Sequence, residues 1–223
     1  MEIVKKLEEL ELFEGLRGES LRRLADSAEM RIFEAKRMIF NQGDRAKRFY
    51  VLIHGLVKLF TGTTDGKEHT LYVVEEKEPF CICTIFGMKE APLGALSLAR
   101  SRILSFPDDL IRKVAYEEPQ LLVNVLKVYN KRLLSSMHMI EDLALRDIYQ
   151  RMASYLLHAL GLSGDDSSHV RLTVPRQELA RILGTTPETV SRVLARMTAE
   201  GLVEARGRQI RLLDQQSLED IAG

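Results

Sequence analysis

The chain has 223 residues, 45% of them hydrophobic and 29% charged, with 32 basic side chains balanced by 32 acidic ones. That length holds two small domains with separate cores or one larger one, and the zero net charge carries no nucleic-acid signal for the chain as a whole. Two cysteines, Cys81 and Cys83, exclude a disulfide framework and an iron–sulfur cluster held by four thiolates of one chain. No apolar run is long enough to cross a bilayer, and the first sixteen residues interleave charges with leucines where a signal peptide would have an apolar core, so a cytoplasmic protein with no membrane partner is expected.

In chain order, residues 2–27 read as one or two amphipathic helices, with Leu7, Leu10, Leu12 and Phe13, then Leu21, Leu24 and Ala25, at helical spacing. From Met30 to about Phe106 the texture changes to short apolar runs: Arg31-Ile32-Phe33, Met38-Ile39-Phe40, Phe49 to Ile53, Val57 to Phe60 and Thr70 to Val74. The runs are punctuated by Asn41-Gln42-Gly43-Asp44, His54-Gly55 and Asp65-Gly66, residues that tolerate the positive φ of tight turns. Closely spaced short strands predict a compact antiparallel barrel or roll.

Pro107 to Leu160 is helical in pattern. Within it Leu126, Leu133 and Ile140 recur every seven residues, and Asn130, Met137 and Ala144 form a second row offset by four. Such a double row is a coiled-coil seam, and Asn130 within it would trade stability for an in-register pair of helices; the competing reading is a helix buried in a single core. Residues 161–170 have loop composition, and 171–223 read as a strand, two helices, a short hairpin and a terminal helix. The organisation expected is an α+β chain with a strand-rich domain over 1–112, a dimerisation helix over 113–146 and a third, mostly helical domain over 147–223.

The segment from Val174 to Met197 carries the sharpest signal. Pro175 stands near a helix start, Leu179, Ala180 and Leu183 share a face, and Gly184 can end that helix in the left-handed conformation. Thr185 or Thr186 can cap the next helix, with Pro187 in its first turn and Val190, Val193 and Leu194 on its apolar face. Small Ala180 followed by Gly184 permits the close approach that a helix-turn-helix requires. Outward-facing Glu188, Ser191, Arg192 and Arg196, with Thr186 and Thr189 at the helix start, are residue types that read base edges: arginine donates two hydrogen bonds to guanine, glutamate accepts from cytosine, and serine does either. Alone, Glu188 and Arg192 would be an i,i+4 surface pair. Two short strands then flank Arg206-Gly207-Arg208 as a β-wing suited to phosphate contact. From Arg171 to Arg211 there are eight arginines, four glutamates and no lysine, a local excess of +4 hidden by the neutral whole.

This order of elements resembles the CRP/FNR superfamily of bacterial regulators over nearly the whole chain. The most specific part is Glu188-Thr189-Val190-Ser191-Arg192, similar to the E-x-x-S-R recognition helix of the FNR branch. The resemblance implies a cyclic-nucleotide-binding-like β-roll, a homodimer bound to palindromic double-stranded DNA, RNA polymerase as a further partner, and a small-molecule or gas effector that shifts the DNA-binding domains. It also implies that Glu188, Ser191 and Arg192 read a TTGA-like or GTGA-like half-site. Asp147 resembles the family's hinge aspartate, its alternative role being an ordinary helix cap.

The effector pattern departs from the cyclic-AMP receptors. Where their ribose-binding glutamate is expected the chain reads Phe80-Cys81-Ile82-Cys83-Thr84, and where their phosphate-binding arginine is expected it reads Pro92-Leu93-Gly94-Ala95. A buried phosphate without its arginine costs several kcal/mol, and Ser136 is followed by Met137 where those receptors carry Ser-Thr, so cyclic AMP is not expected. Phe80-Cys81-Ile82-Cys83 is similar to the Phe-Cys-x-His of haem-containing carbon monoxide sensors, with Cys83 in place of the histidine. That similarity implies Cys81 as a thiolate ligand to haem iron, with His54, His138, Met137 or Met139 as substitutes for the missing histidine. The other readings are two small core cysteines sharing one face of a strand and a thiol redox switch. No phosphate-binding glycine loop, G-x-S-x-G or His/Cys/Asp metal cluster marks an enzyme; a constitutive DNA-binding protein with a vestigial pocket is the remaining alternative.

Overall fold

The computed structural model describes residues 2–62, 68–163, 169–172, 174–207 and 209–223. They divide into two compact units, Met1–Leu133 and Leu134–Gly223. The first begins with helices α1 (Glu2–Glu8) and α2 (Gly18–Ser27), joined through a 3-10 turn at Glu11–Phe13. Eight strands follow: β1 (Glu29–Phe33), β2 (Met38–Phe40), β3 (Arg48–His54), β4 (Val57–Gly62), β5 (Glu68–Val74), β6 (Pro79–Phe80), β7 (Gly94–Ser97) and β8 (Ser101–Pro107). A 3-10 helix, Ile82–Phe86, lies between β6 and β7; α3 (Asp108–Glu117) and α4 (Pro119–Leu145) come after β8.

The strands form two antiparallel four-stranded sheets, ordered β1-β8-β3-β6 and β2-β7-β4-β5, the roll that the short apolar runs predict. Strand β3 explains how the sheets pack. Its side chains alternate between two hydrophobic clusters: Phe49 and Val51 join the outer one, and Tyr50 and Leu52 the inner one. Strand β8 does the same, with Leu104 and Phe106 outward and Ile103 inward. Strands apolar on both faces therefore read as unbroken runs, and the sheet is covered on both sides.

The outer cluster is closed by the N-terminal leucines and by Ile111, Val114, Leu121 and Val125 of α3 and α4; Phe13 meets Phe106 edge to face at 5.7 Å. Buried Asn124 of α4 donates to the carbonyls of Leu12 and Glu14 at 3.0 and 2.9 Å, fastening the N-terminal segment to that helix. One turn is set by sterics. Gly55 has φ +108°, and a Cβ there would lie 2.5 Å from Ser101 Oγ and 2.7 Å from its Cα. The Asp65-Gly66 turn lies outside the described residues.

The second unit contains α5 (Ile148–Ser163), β9 (His169–Arg171), α6 (Arg176–Ile182), α7 (Pro187–Ala199), β10 (Val203–Arg206), β11 (Gln209–Leu212) and α8 (Gln215–Ala222). Its sheet is ordered β10-β11-β9, all antiparallel. Asp147 caps α5, accepting from the N–H groups of Tyr149 and Gln150 at 2.8 and 2.9 Å. Of the loop expected over 161–170, residues 161–163 belong to α5 and His169 and Val170 to β9; the residues between lie outside the described residues.

Candidate nucleic-acid interface and cysteine segment

Helices α6 and α7 pack through Leu179, Ala180, Leu183, Val190, Val193, Leu194 and Met197, all buried. The turn between them is built as its residues dictate. Gly184 has φ +63°, and the Thr185 N–H donates back to the Ala180 carbonyl at 2.8 Å, the six-to-one bond of a Schellman ending. Thr186 is the N-cap of α7, its Oγ1 accepting from the Thr189 N–H at 3.3 Å, and Pro187 follows it; Pro175 occupies the corresponding cap position of α6.

With the apolar face committed inward, Glu188 and Arg192 stand exposed, and Thr189 and Ser191 are half-buried beside them. Ser191 Oγ donates to the Pro187 carbonyl at 3.0 Å, and Arg192 donates to Thr189 Oγ1 at 3.1 Å. The Glu188 carboxyl is held below its ordinary value, first by its own backbone N–H, then by Thr186, and also by the charge of Arg192. An anionic acceptor and a guanidinium thus project from one face of α7. Arg176, on α6, reaches Ser191 Oγ at 3.4 Å; no spacing rule connects residues fifteen apart across a turn, so this contact leaves no signal in the sequence.

Arg196 is differently placed. It pairs with Glu200 at 2.8 Å and stacks over the Tyr149 ring at 4.3 Å, while the Tyr149 hydroxyl donates to Glu200. Burial, then the Glu200 hydrogen bond, pushes the Tyr149 hydroxyl up to about 12. The Arg196–Glu200 pair is legible as i,i+4 spacing, but Tyr149 comes from another helix and leaves no local signal. In the wing, Arg206 is 83% exposed and pairs with Glu204 at 2.6 Å; Gly207 between the strands has φ +63°, and Arg208 lies outside the described residues.

On α4, the seam positions Leu126, Leu133, Met137 and Ile140 are 58–66% exposed, and Asn130 and Ala144 are also exposed. A helix buried in a single core would hide these rows, which this chain leaves on its surface.

The cysteines depart from expectation. They do not share a face of a strand: β6 ends at Phe80, Cys81 takes the left-handed conformation with φ +54°, and Cys83 lies in the 3-10 helix. This geometry turns the two sulfurs to face each other at 3.8 Å, Cys81 half-buried and Cys83 buried. The hydrogen bond between the two sulfurs, with the backbone N–H groups of Cys83 and Thr84, holds the Cys83 thiol below its ordinary value, and the same bond followed by burial raises Cys81. Of the two, Cys83 is the thiol that ionises more readily.

The segment is bracketed by α4. Arg132 donates to the Pro79 carbonyl and lies over the Tyr72 ring at 4.5 Å; Tyr129, one turn earlier, packs against Phe86 at 5.9 Å. Tyr72 in turn donates to Glu78 at 3.0 Å, and burial followed by that carboxylate pushes its hydroxyl up to about 12.

The donor set fits haem poorly. Cys81 is the less readily ionised of the two thiols. Phe40, Tyr50 and Phe80 are stacked at 5.1–6.1 Å inside the roll. His54 and His138 are 66% and 71% exposed and pair with Glu76 and Glu141. Met137 is exposed on the α4 seam, and the Met139 side chain lies outside the described set. Among the described residues no three His, Cys, Asp or Glu groups converge as a metal site. At the place of the missing phosphate arginine, the Phe60 ring lies against Gly94, where a Cβ would meet it at 2.8 Å.

Residues 30–117 match the cyclic nucleotide-binding domain family, and residues 150–221 the Crp-like helix-turn-helix domain family. The chain is 28% identical over 191 residues to the global nitrogen regulator of Synechococcus elongatus, covering 83% of this chain and 86% of that one. It is 24% identical over 210 residues to the CRP-like cAMP-activated global transcriptional regulator of Mycobacterium tuberculosis, covering 93% and 94%. Among solved structures, that of a CooA mutant from Carboxydothermus hydrogenoformans superposes with a TM-score of 0.79 over 96% of this chain and 95% of that one; at 21% identity the likeness speaks for the fold.

Proposed function

We propose, given that this chain belongs to the CRP/FNR family of bacterial transcription regulators, that it acts as a homodimer paired through α4 and reads a palindromic site with Glu188, Ser191 and Arg192. Residues 1–112 sense, 113–146 pair the subunits and 147–223 bind DNA. The observation that carries the reading is α7, whose apolar face is fully committed to its own domain while the glutamate and arginine of the E-x-x-S-R motif stand exposed. Thr186 and Thr189 order the helix start; Arg196, Arg206 and Arg208 serve the phosphates, Arg196 after release from Glu200. Selection from a random duplex pool should return an inverted repeat with half-site centres one helical turn apart. Arg192→Ala should erase preference at the guanine, a loss of about 1–3 kcal/mol. An unchanged selected motif would show that α7 is not the reading helix.

The effector reaches the roll as a redox or gas signal at Cys81 and Cys83. Cyclic AMP is disfavoured by the uncharged residues at its phosphate position, with Phe60 packed on Gly94. For haem the donor set argues the same way, and a spectrum decides it. Purified protein mixed with haem should give only the broad band of loosely held haem; a sharp Soret band that shifts on reduction and with carbon monoxide, and is lost in Cys81→Ala, would restore Cys81 as the iron ligand.

A further inference from the structure

The cysteine pair is not absorbed by DNA reading, and its surroundings are those of a reactive site. We propose that Cys81 and Cys83 form a reversible intramolecular disulfide under peroxide, and that closing this bond resets the contact of the 82–86 helix with α4 and so changes DNA affinity. The proposal rests on the DNA-binding reading above and adds the chemistry of its signal.

Three observations carry it. The sulfurs already face each other at 3.8 Å within one turn of chain, so closure to the 2.05 Å of a disulfide needs a displacement of under 2 Å. The left-handed Cys81 supplies the reversal that brings them together: its φ of +54° is a conformation uncommon for a residue with a Cβ. Third, the pair lies between two fixed points on one helix. Pro79, two residues before Cys81, accepts from Arg132; Phe86, three residues after Cys83, packs on Tyr129. Residues 129 and 132 are three apart and share a face of α4. The cysteine segment is thus held at both ends by the face of α4 that flanks the rows proposed to pair the subunits, and it cannot shorten without pulling on one of those contacts. Hydrogen bonds from Thr84 to the Cys81 carbonyl and from Met88 to the Cys83 carbonyl make the segment move as a unit.

The reaction balances with peroxide as the oxidant. Cys83, having shed its proton, attacks one peroxide oxygen as the thiolate; the O–O bond breaks, and the leaving hydroxide takes up that proton as water, giving a sulfenic acid at Cys83. The Cys81 sulfur then attacks the Cys83 sulfur, the S–O bond breaks, and the Cys81 proton leaves with the sulfenic hydroxyl as water. Two thiols are oxidised by two electrons, and one peroxide is reduced to two waters.

The test uses full-length protein treated with hydrogen peroxide. Intact mass should fall by about 2 Da per chain and recover with dithiothreitol, and the oxidised chain should run as a single chain on a non-reducing gel. Affinity for a duplex carrying two inverted TTGA half-sites should differ about tenfold between the two forms. Cys81→Ser and Cys83→Ser should abolish both changes. Tyr129→Ala should still form the disulfide but lose most of the affinity change. Oxygen addition without the 2 Da loss, a disulfide between chains, or a closed disulfide with unchanged affinity would each overturn the proposal. If neither form bound any duplex, the DNA-binding reading and the coupling would both fall, while the mass would still decide whether the bond forms.

Discussion

Glu118, at the junction of α3 and α4, shows how a single carboxylate holds the first unit together. It is buried, accepts from the Arg17 N–H at 2.9 Å and faces the Arg17 guanidinium at 3.3 Å. Burial by itself raises its pKa, but hydrogen bonds from Ser20 and the Arg17 N–H, with the Arg17 charge, outweigh it and hold the carboxyl below its ordinary value. A depressed carboxylate stabilises the fold above its unfolded pKa of about 4.3, and that contribution is lost as pH falls through the lower folded value. Glu118→Gln should therefore lower the melting temperature at pH 7, with the gap to the parent closing on acidification below about pH 4. Circular-dichroism melts across that range check it; a gap constant with pH would mean the side chain acts through packing alone. A different balance holds at Arg196, where Glu200 and the Tyr149 ring occupy the guanidinium. Reaching a phosphate there requires exchanging one anionic partner for another, which favours DNA less than a free arginine would.

At the scale of elements, α4 presents its apolar rows to the surface. If these rows pair two copies as proposed, Leu133→Asp should turn the dimer into a monomer by sedimentation at micromolar concentration, leave the far-UV spectrum unchanged, and lower palindrome affinity by at least tenfold, since a charge in a seam cannot pair with its own copy. A stable dimer carrying that aspartate would move the interface elsewhere. The exposed apolar rows of α4, the strands from β1 to β5 and the helices α6 and α7 were legible in sequence because each rests on a local rule: a period of seven, apolar runs cut by Gly and Asn, and a cap followed by Pro187. The cysteine segment was not. C-x-C inside an apolar stretch looks like a strand, and what bends it is the tertiary fit of Phe86 and Pro79 against α4, which no neighbouring residue announces. Tyr149 beside Glu200 and Arg176 beside Ser191 were hidden for the same reason, each pair meeting across different helices.

For the molecule as a whole, a neutral chain binds DNA only if its positive charge is gathered in one place, and the stretch from Arg171 to Arg211 gathers it. Binding should then be steeply salt-dependent, with log K falling linearly in log salt by about 0.9 for each phosphate contact. Replacing Arg206 or Arg208 by alanine should remove one such contact per subunit, flattening the slope by about 2 per dimer while leaving the selected sequence unchanged. A changed motif in titrations from 50 to 200 mM salt would assign these arginines to bases instead.

Strand β3 has a consequence for inheritance. One run of residues serves two cores, Phe49 and Val51 on one side and Tyr50 and Leu52 on the other. Exchanging one apolar letter for another there perturbs a single cluster. Deleting one letter reverses the facing of everything beyond it, placing the Tyr50 hydroxyl among the leucines of the outer core and emptying the aromatic stack of the inner one. Length changes in descendants of this gene should accordingly collect in the turns, and the stretch from Arg48 to His54 should vary in spelling but never in length.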